Sequence, residues 1–250
     1  MILDTVILAS DDNPDYLDFW PIVSEAWESM GLEPILIYTG QEKKDLKGNI
    51  IKYNPNKLDS AFVAQNIRLL YPGILKNKNC IISDIDLLPL SKNYFYKSVL
   101  EIPDNKFVIY RPDAGLPDNM ISMMWNAANS DTWMEIFQIN NESDIQKKLK
   151  KWYSRKYSIR GSAWYTDQLQ LKKHIDKFSK KNNCRIHKLD DKINGFNRFN
   201  RTKLSEHLDQ MNSGKSNFSD FHMPRPFKKY ESLINDVYIY HKKNISSISI

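Results

Sequence analysis

The sequence predicts an α/β fold, a central sheet with helices on both faces. Three observations carry this. Apolar runs too short for helices recur at residues 5–9, 34–38 and 80–82, as expected of strands buried on both faces. Stretches with helical spacing alternate with them, as at 58–71 and 169–178. A chain of 250 residues suffices for one sizeable domain with a full core.

The first strand, 5–9, runs into Ser10-Asp11-Asp12-Asn13-Pro14, turn chemistry in which Asn13 caps a helix and Pro14 opens it. The spacing predicts that helix over 16–30, with Pro21 marking either its true start or a kink. A strand over 34–38 ends at Gly40, a charged loop covers 41–49, and a further strand covers 49–53. Residues 58–71 then form a helix that Pro72-Gly73 ends. A polar loop between a first strand and a helix is where open α/β sheets place their ligands.

Strand 80–82 leads into two carboxylates, Asp84 and Asp86, followed by Leu87-Leu88-Pro89-Leu90. Pro89 lacks a backbone donor and is expected to stop strand pairing there. Two acids one residue apart at a strand end repel each other unless a cation lies between them. A hard divalent ion takes carboxylate oxygens and completes its shell with diphosphate oxygens. The same pair would also serve as a plain solvated turn.

Beyond the acid pair a short helix is expected over 94–100, with strands over 106–110 and 120–125. A helix over 131–137 starts at Asp131 as its cap. Residues 144–157 form a basic amphipathic helix, a solvated face or a contact for an anionic membrane surface, nucleic acid or acidic glycan. Asp167-Gln168 opens the helix over 169–178, where Asp167 could simply be its cap. A strand covers 185–189, Asp190-Asp191 is turn acid, 212–220 is a Ser/Asn/Gly-rich mobile loop, and 237–240 is a short strand.

Ser83-Asp84-Ile85-Asp86-Leu87-Leu88-Pro89-Leu90 resembles the Asp-x-Asp signature of GT-A glycosyltransferases, which move a sugar from a nucleotide donor. The likeness is to a chlorella-virus glycosyltransferase domain and, more distantly, to the glycogenin-like branch. Gly161 followed by Asp167-Gln168, and Phe221-His222-Met223-Pro224-Arg225-Pro226-Phe227-Lys228, resemble later motifs of the same enzymes. The spacing from His222 to Arg225-Pro226 is shorter than in the glycogenin-like branch.

The resemblance implies one Rossmann-like GT-A domain over 1–250 with a central mixed β-sheet flanked by helices. Residues 1–90 would be the nucleotide-binding half and 91–250 the acceptor-binding half with a C-terminal metal-ligand segment. It implies that Ala9, Ser10 and Asp11 line the base and ribose and that Tyr16 stacks on the base. Arg68, Asp84, Arg225 and Lys228 would hold the donor diphosphate, and Asn119 would face the sugar. Asp84, Asp86 and His222 would bind Mn2+ or Mg2+. Asp167 would act catalytically on the acceptor side, as a general base if the transfer inverts and in another role if it retains. The implied donor is a UDP-sugar and the implied acceptor a glycan or glycoprotein. Each motif has a plainer alternative: Tyr16 as a half-buried helix aromatic, Arg68 as a solvent-facing helix residue.

Composition adds bounds. The net charge of +6 suits phosphate-bearing ligands, although nucleic acid or an anionic surface would suit it too; the motifs point away from nucleic acid as a partner. No apolar run reaches membrane-spanning length, which leaves only peripheral membrane contact. The start lacks the basic lead-in of a signal peptide. Two cysteines make neither a disulfide framework nor a metal spacing, so a cytoplasm is expected, a host's if the protein is viral. Two other classes stay open. A haloacid-dehalogenase-like Mg-dependent phosphatase also uses Asp-x-Asp after a strand, with Asp190-Asp191 as later ligands. A non-enzymatic binding module would use the basic helix.

Overall fold

The structure of the chain, a computed structural model, describes residues 1–41, 45–112, 114–214 and 217–246. The elements begin β1 (Thr5–Ser10), α1 (Pro14–Leu17), α2 (Trp20–Ser29), β2 (Glu33–Tyr38), β3 (Asn49–Lys52), α3 (Ser60–Leu70), β4 (Asn79–Ile82), β5 (Leu87–Pro89), α4 (Lys92–Phe95) and β6 (Phe107–Tyr110). They continue β7 (Asn126–Asn129), α5 (Ser130–Phe137), α6 (Glu142–Trp152), α7 (Thr166–Asn182), β8 (Ile186–Leu189), α8 (Asp191–Asn194), β9 (Asn197–Asn200), α9 (Leu204–Asn212), β10 (Phe218–His222) and α10 (Phe227–Ser246).

Every residue of β1 is buried, because the strand lies inside a sheet covered on both faces. Successive side chains alternate between two cores. Val6 and Leu8 join the cluster around Trp20, Trp27, Phe95 and Trp125. Ile7 and Ala9 join the one around Phe62, Phe107, Trp133 and Phe137. Each of these large side chains contributes about 1.5–3 kcal/mol by leaving water.

The main sheet has seven strands in the order β3-β2-β1-β4-β7-β6-β8. β7 pairs antiparallel with β4 and β6, while the β1–β2, β1–β4, β2–β3 and β6–β8 pairs are parallel, so the sheet is mixed. A second sheet runs β5-β10-β9, with β10 antiparallel to β5 and parallel to β9. Strand order reverses between β1 and β4. Their C-terminal ends therefore flank a crevice, the usual ligand position in such sheets. Among the described residues, no helix is long and apolar enough to cross a membrane.

Several expected elements differ. The helix over 16–30 is two: Asn13 caps α1, accepting from Asp15 N at 3.0 Å, and α2 has Pro21 in its first turn. Pro21 thus marks a true start. Pro89 does not stop pairing; it ends β5, which pairs with β10 as an edge strand where a missing donor is harmless. The strand over 120–125 is displaced to β7. Trp125 has a left-handed φ of 48°, which turns the chain just before β7 starts. The helix over 94–100 is α4 followed by a 3-10 turn at Lys97–Val99.

Asn129, not Asp131, caps α5. The basic helix is α6, which ends at Trp152 and buries Ile145 and Leu149. The loop over 212–220 contains the start of β10, and residues 215–216 lie outside the described residues, as do 42–44 of the charged loop. Residues 237–240 are helical, inside α10. Ile234, Val237, Tyr238 and His241 are buried on it, a helical spacing that overrides the β-preference of Val-Tyr-Ile-Tyr.

Candidate active site

Asp59 caps α3 by accepting from Ala61 N at 3.0 Å and Phe62 N at 3.1 Å. That helix carries Arg68 in its last turn with only 6% of its surface exposed, which excludes a solvent-facing role. The guanidinium donates to Ser83 O at 2.9 Å, to Asp84 Oδ1, and to Asp167 Oδ2 at 3.4 Å. It thereby joins α3, the turn after β4 and the start of α7.

The turn between β4 and β5 presents Asp84 and Asp86. Trp125 Nε1 donates to Ser83 Oγ at 3.1 Å and fixes the start of that turn. Asp84 is about a third exposed, whereas Asp86 is buried. The register of β10 on β5 sets His222 opposite Leu87, and Met223 N donates to Asp86 O at 3.1 Å. This pairing brings a residue 136 positions away in the chain (222 minus 86) to the acid pair. His222 Nε2 lies 3.4 Å from Asp86 Oδ2, Arg201 Nη1 3.2 Å and Arg225 Nε 3.7 Å. Burial disfavours the ionised form of Asp86, but His222, then Arg225 and Arg201, hold its carboxyl well below the usual carboxylate range.

Asp167 sits in the first turn of α7, and Tyr165 at the cap makes no side-chain capping bond. Its carboxylate instead takes its own Gln168 N at 2.8 Å and Arg68. It is 3% exposed. Burial pushes its pKa up to about 7; Arg68 opposes that rise and the charge of Asp84 adds to it. Gln168 Oε1 beside it is buried without a hydrogen-bond partner among the described residues.

These groups share one cavity of about 270 Å³. Ala9, Ser10, Asp11, Tyr16, Arg68, Asp84, Asp86, Asp167, His222 and Arg225 all line it. Asp11 is held by Ser60 Oγ at 3.0 Å and Asn13 N at 3.1 Å, and the Arg225 guanidinium lies 4.7 Å from the centre of the Tyr16 ring. Lys228 is exposed on the first turn of α10, and Asn119 is exposed in a turn; neither lines the cavity. Two arginines that sequence reasoning missed do line it, Arg198 and Arg201. With 36 Lys and Arg in the chain, nothing local distinguishes these two. Ser122, Met123 and Met124 were also missed as cavity residues.

No protein-family model matches the sequence, and no curated protein matches it. Solved structures do. The bifunctional glycosyltransferase WbbM in its apo form aligns with 97% of this chain at a TM-score of 0.52 and 10% identity. The chain spans only 51% of WbbM. An active-site mutant of LgtC aligns over 93% of this chain and 95% of its own, at a TM-score of 0.50 and 12% identity. The chain has the GT-A fold. A glycosyltransferase involved in glycosylating the major capsid of PBCV-1 aligns over 92% of this chain and 99% of its own, at 10% identity and a TM-score of 0.44.

Within this GT-A fold the acid pair lies at the crevice between β1 and β4, with arginines around it. Asp190 and Asp191 are elsewhere. Asp190 caps α8, accepting from Lys192 N at 2.9 Å, and Asp191 bonds Arg111 and Tyr94 OH. Neither lines the cavity, so the ligand pair that a phosphatase reading needs is missing from it. Among the described residues, no three His, Cys, Asp or Glu side chains already converge as a metal cage. The donor types at Asp84, Asp86 and His222 nonetheless fit a divalent ion, two hard carboxylates and an imidazole.

Proposed function

We propose that the chain is a glycosyltransferase that uses a nucleoside-diphosphate sugar, a UDP-sugar for preference, and transfers its sugar to a hydroxyl of a glycan or glycoprotein. The observation that carries this reading is the meeting of Arg68, Asp84, Asp86, Asp167 and His222 in one cavity at the strand-order reversal. Residues 1–90 would form the nucleotide-binding half and 91–250 the acceptor-binding half with a C-terminal metal-ligand segment. Asp84, Asp86 and His222 would hold Mn2+ or Mg2+, which when bound neutralises charge on the leaving diphosphate.

The chain's own groups do the rest. Ala9, Ser10 and Asp11 border the base and ribose, and Tyr16 offers a ring face. Arg68 and Arg225 stabilise the phosphates electrostatically as the sugar–oxygen bond breaks. Asp167, buried and with a pKa raised to about 7, takes the acceptor hydroxyl's proton in an inverting transfer. The test is a melting series with nucleotide-sugars, with and without manganese, since a ligand that binds the native state raises its melting temperature. UDP-sugars with manganese should raise it, and Asp86→Asn should fold normally yet lose both the manganese effect and donor hydrolysis. Normal hydrolysis by Asp86→Asn would sink the assignment.

A further inference from the structure

Asp86 faces more positive groups than one carboxylate needs. Its Oδ2 lies 3.2 Å from Arg201 Nη1 and 3.7 Å from Arg225 Nε, besides His222. Arg201 is anchored independently, since the same Nη1 donates to Met223 O at 3.1 Å. Arg225 is packed over Tyr16, and its Nη1 is buried with no hydrogen-bond partner among the described residues. An unsatisfied buried donor on a guanidinium is costly, by more than a neutral one. Here it belongs to a side chain that lines the cavity. A guanidinium is a planar fork suited to two oxygens of a phosphate.

We propose that Arg201 and Arg225 form a diphosphate-binding pair that Asp86 keeps poised, and that diphosphate and divalent cation are coupled through Asp86. The proposal rests on the donor reading above. Phosphate oxygens take over as acceptors for the two guanidiniums, including the unpartnered Nη1. Asp86 Oδ2 then gives up two cationic neighbours and becomes available to a metal ion. Two consequences follow. The diphosphate binds without metal, because arginines rather than the cation supply its first charge contacts. The metal alone binds weakly, because the arginines compete for Asp86, and it binds more tightly once diphosphate is present, a reciprocal linkage.

The experiment is calorimetric titration of the intact chain with UDP, and with GDP as a second probe, in EDTA and in manganese. Manganese alone is titrated as well. Wild type is compared with Arg201→Gln and Arg225→Gln, each checked for folding by circular dichroism. The expected result is UDP binding by wild type in EDTA, weakened about tenfold or more in each folded variant, the loss of one charged hydrogen bond. Manganese alone should bind each variant more tightly than wild type, the opposite of what loss of a metal-site residue would do. UDP binding by wild type only in the presence of manganese overturns the proposal and needs no variant. So does a folded variant with unchanged UDP affinity in EDTA, or with unchanged or weaker manganese affinity. If neither nucleotide binds wild type under any condition, the glycosyltransferase reading itself fails.

Discussion

Asp167 couples the stability of the protein to its proposed chemistry. An aspartate in the unfolded chain has a pKa of about 3.9. In the folded chain burial raises it to about 7, against Arg68. The native state therefore binds this proton more tightly than the unfolded state. Its contribution to stability is complete below about pH 3.9 and is lost as pH rises through about 7. Asp167→Asn removes that titration, so the variant's melting temperature minus that of wild type should grow from pH 4 to pH 8. A flat difference would mean that Asp167 has an ordinary pKa. In the same variant, transfer should fall about 100-fold or more while nucleotide-sugar affinity is kept, as for loss of a general base. Capping does not explain this position, because Asp167 lies inside the first turn and bonds its own neighbour.

At the scale of the element, α3 holds the centre of the site. Its buried face, Phe62, Val63, Ile67 and Leu70, packs it on the sheet, and Arg68 projects from its last turn to the acid pair. Asp59 closes the other end by accepting two backbone N–H groups. Asp59→Ala should cost about 1 kcal/mol of unfolding free energy in urea titrations, and Asp59→Asn much less, because asparagine caps nearly as well. Equal losses in both would assign the effect to charge and not to the cap.

For the whole molecule, one buried ion-pair network fastens the small sheet to the large one. Arg111, next after β6, reaches Ser219 Oγ at 2.9 Å and Asp220 Oδ1 at 3.3 Å on β10, and also bonds Asp191. Arg198 on β9 donates to Asp220 Oδ2 at 2.8 Å. Asp220 is completely buried. Asp220→Asn leaves two largely buried guanidiniums short of a counter-charge and should cost about 3 kcal/mol, measured by urea unfolding. Since β10 delivers His222, the variant should also lose manganese affinity in the presence of UDP. Unchanged stability would show that the network is dispensable.

Elements whose signals are local can be read directly from the residues. Strands β1, β2 and β4 declare themselves as short apolar runs between turn residues, and α3 by its spacing and by Pro72-Gly73 after it. The acid pair was legible because both carboxylates follow closely on a strand end. Features that depend on pairing and burial emerge only when the chain has folded. Val-Tyr-Ile-Tyr at 237–240 looks like a strand until the core takes its helical face. Arg198 and Arg201 look like any other basic residues until the register of β9 on β10 carries them to the cavity. The pKa of Asp167 is likewise not a property of its neighbours in sequence. Arg68 is 99 residues away (167 minus 68), and the burial that raises that pKa exists only once α3, α7 and the turn after β4 have packed together.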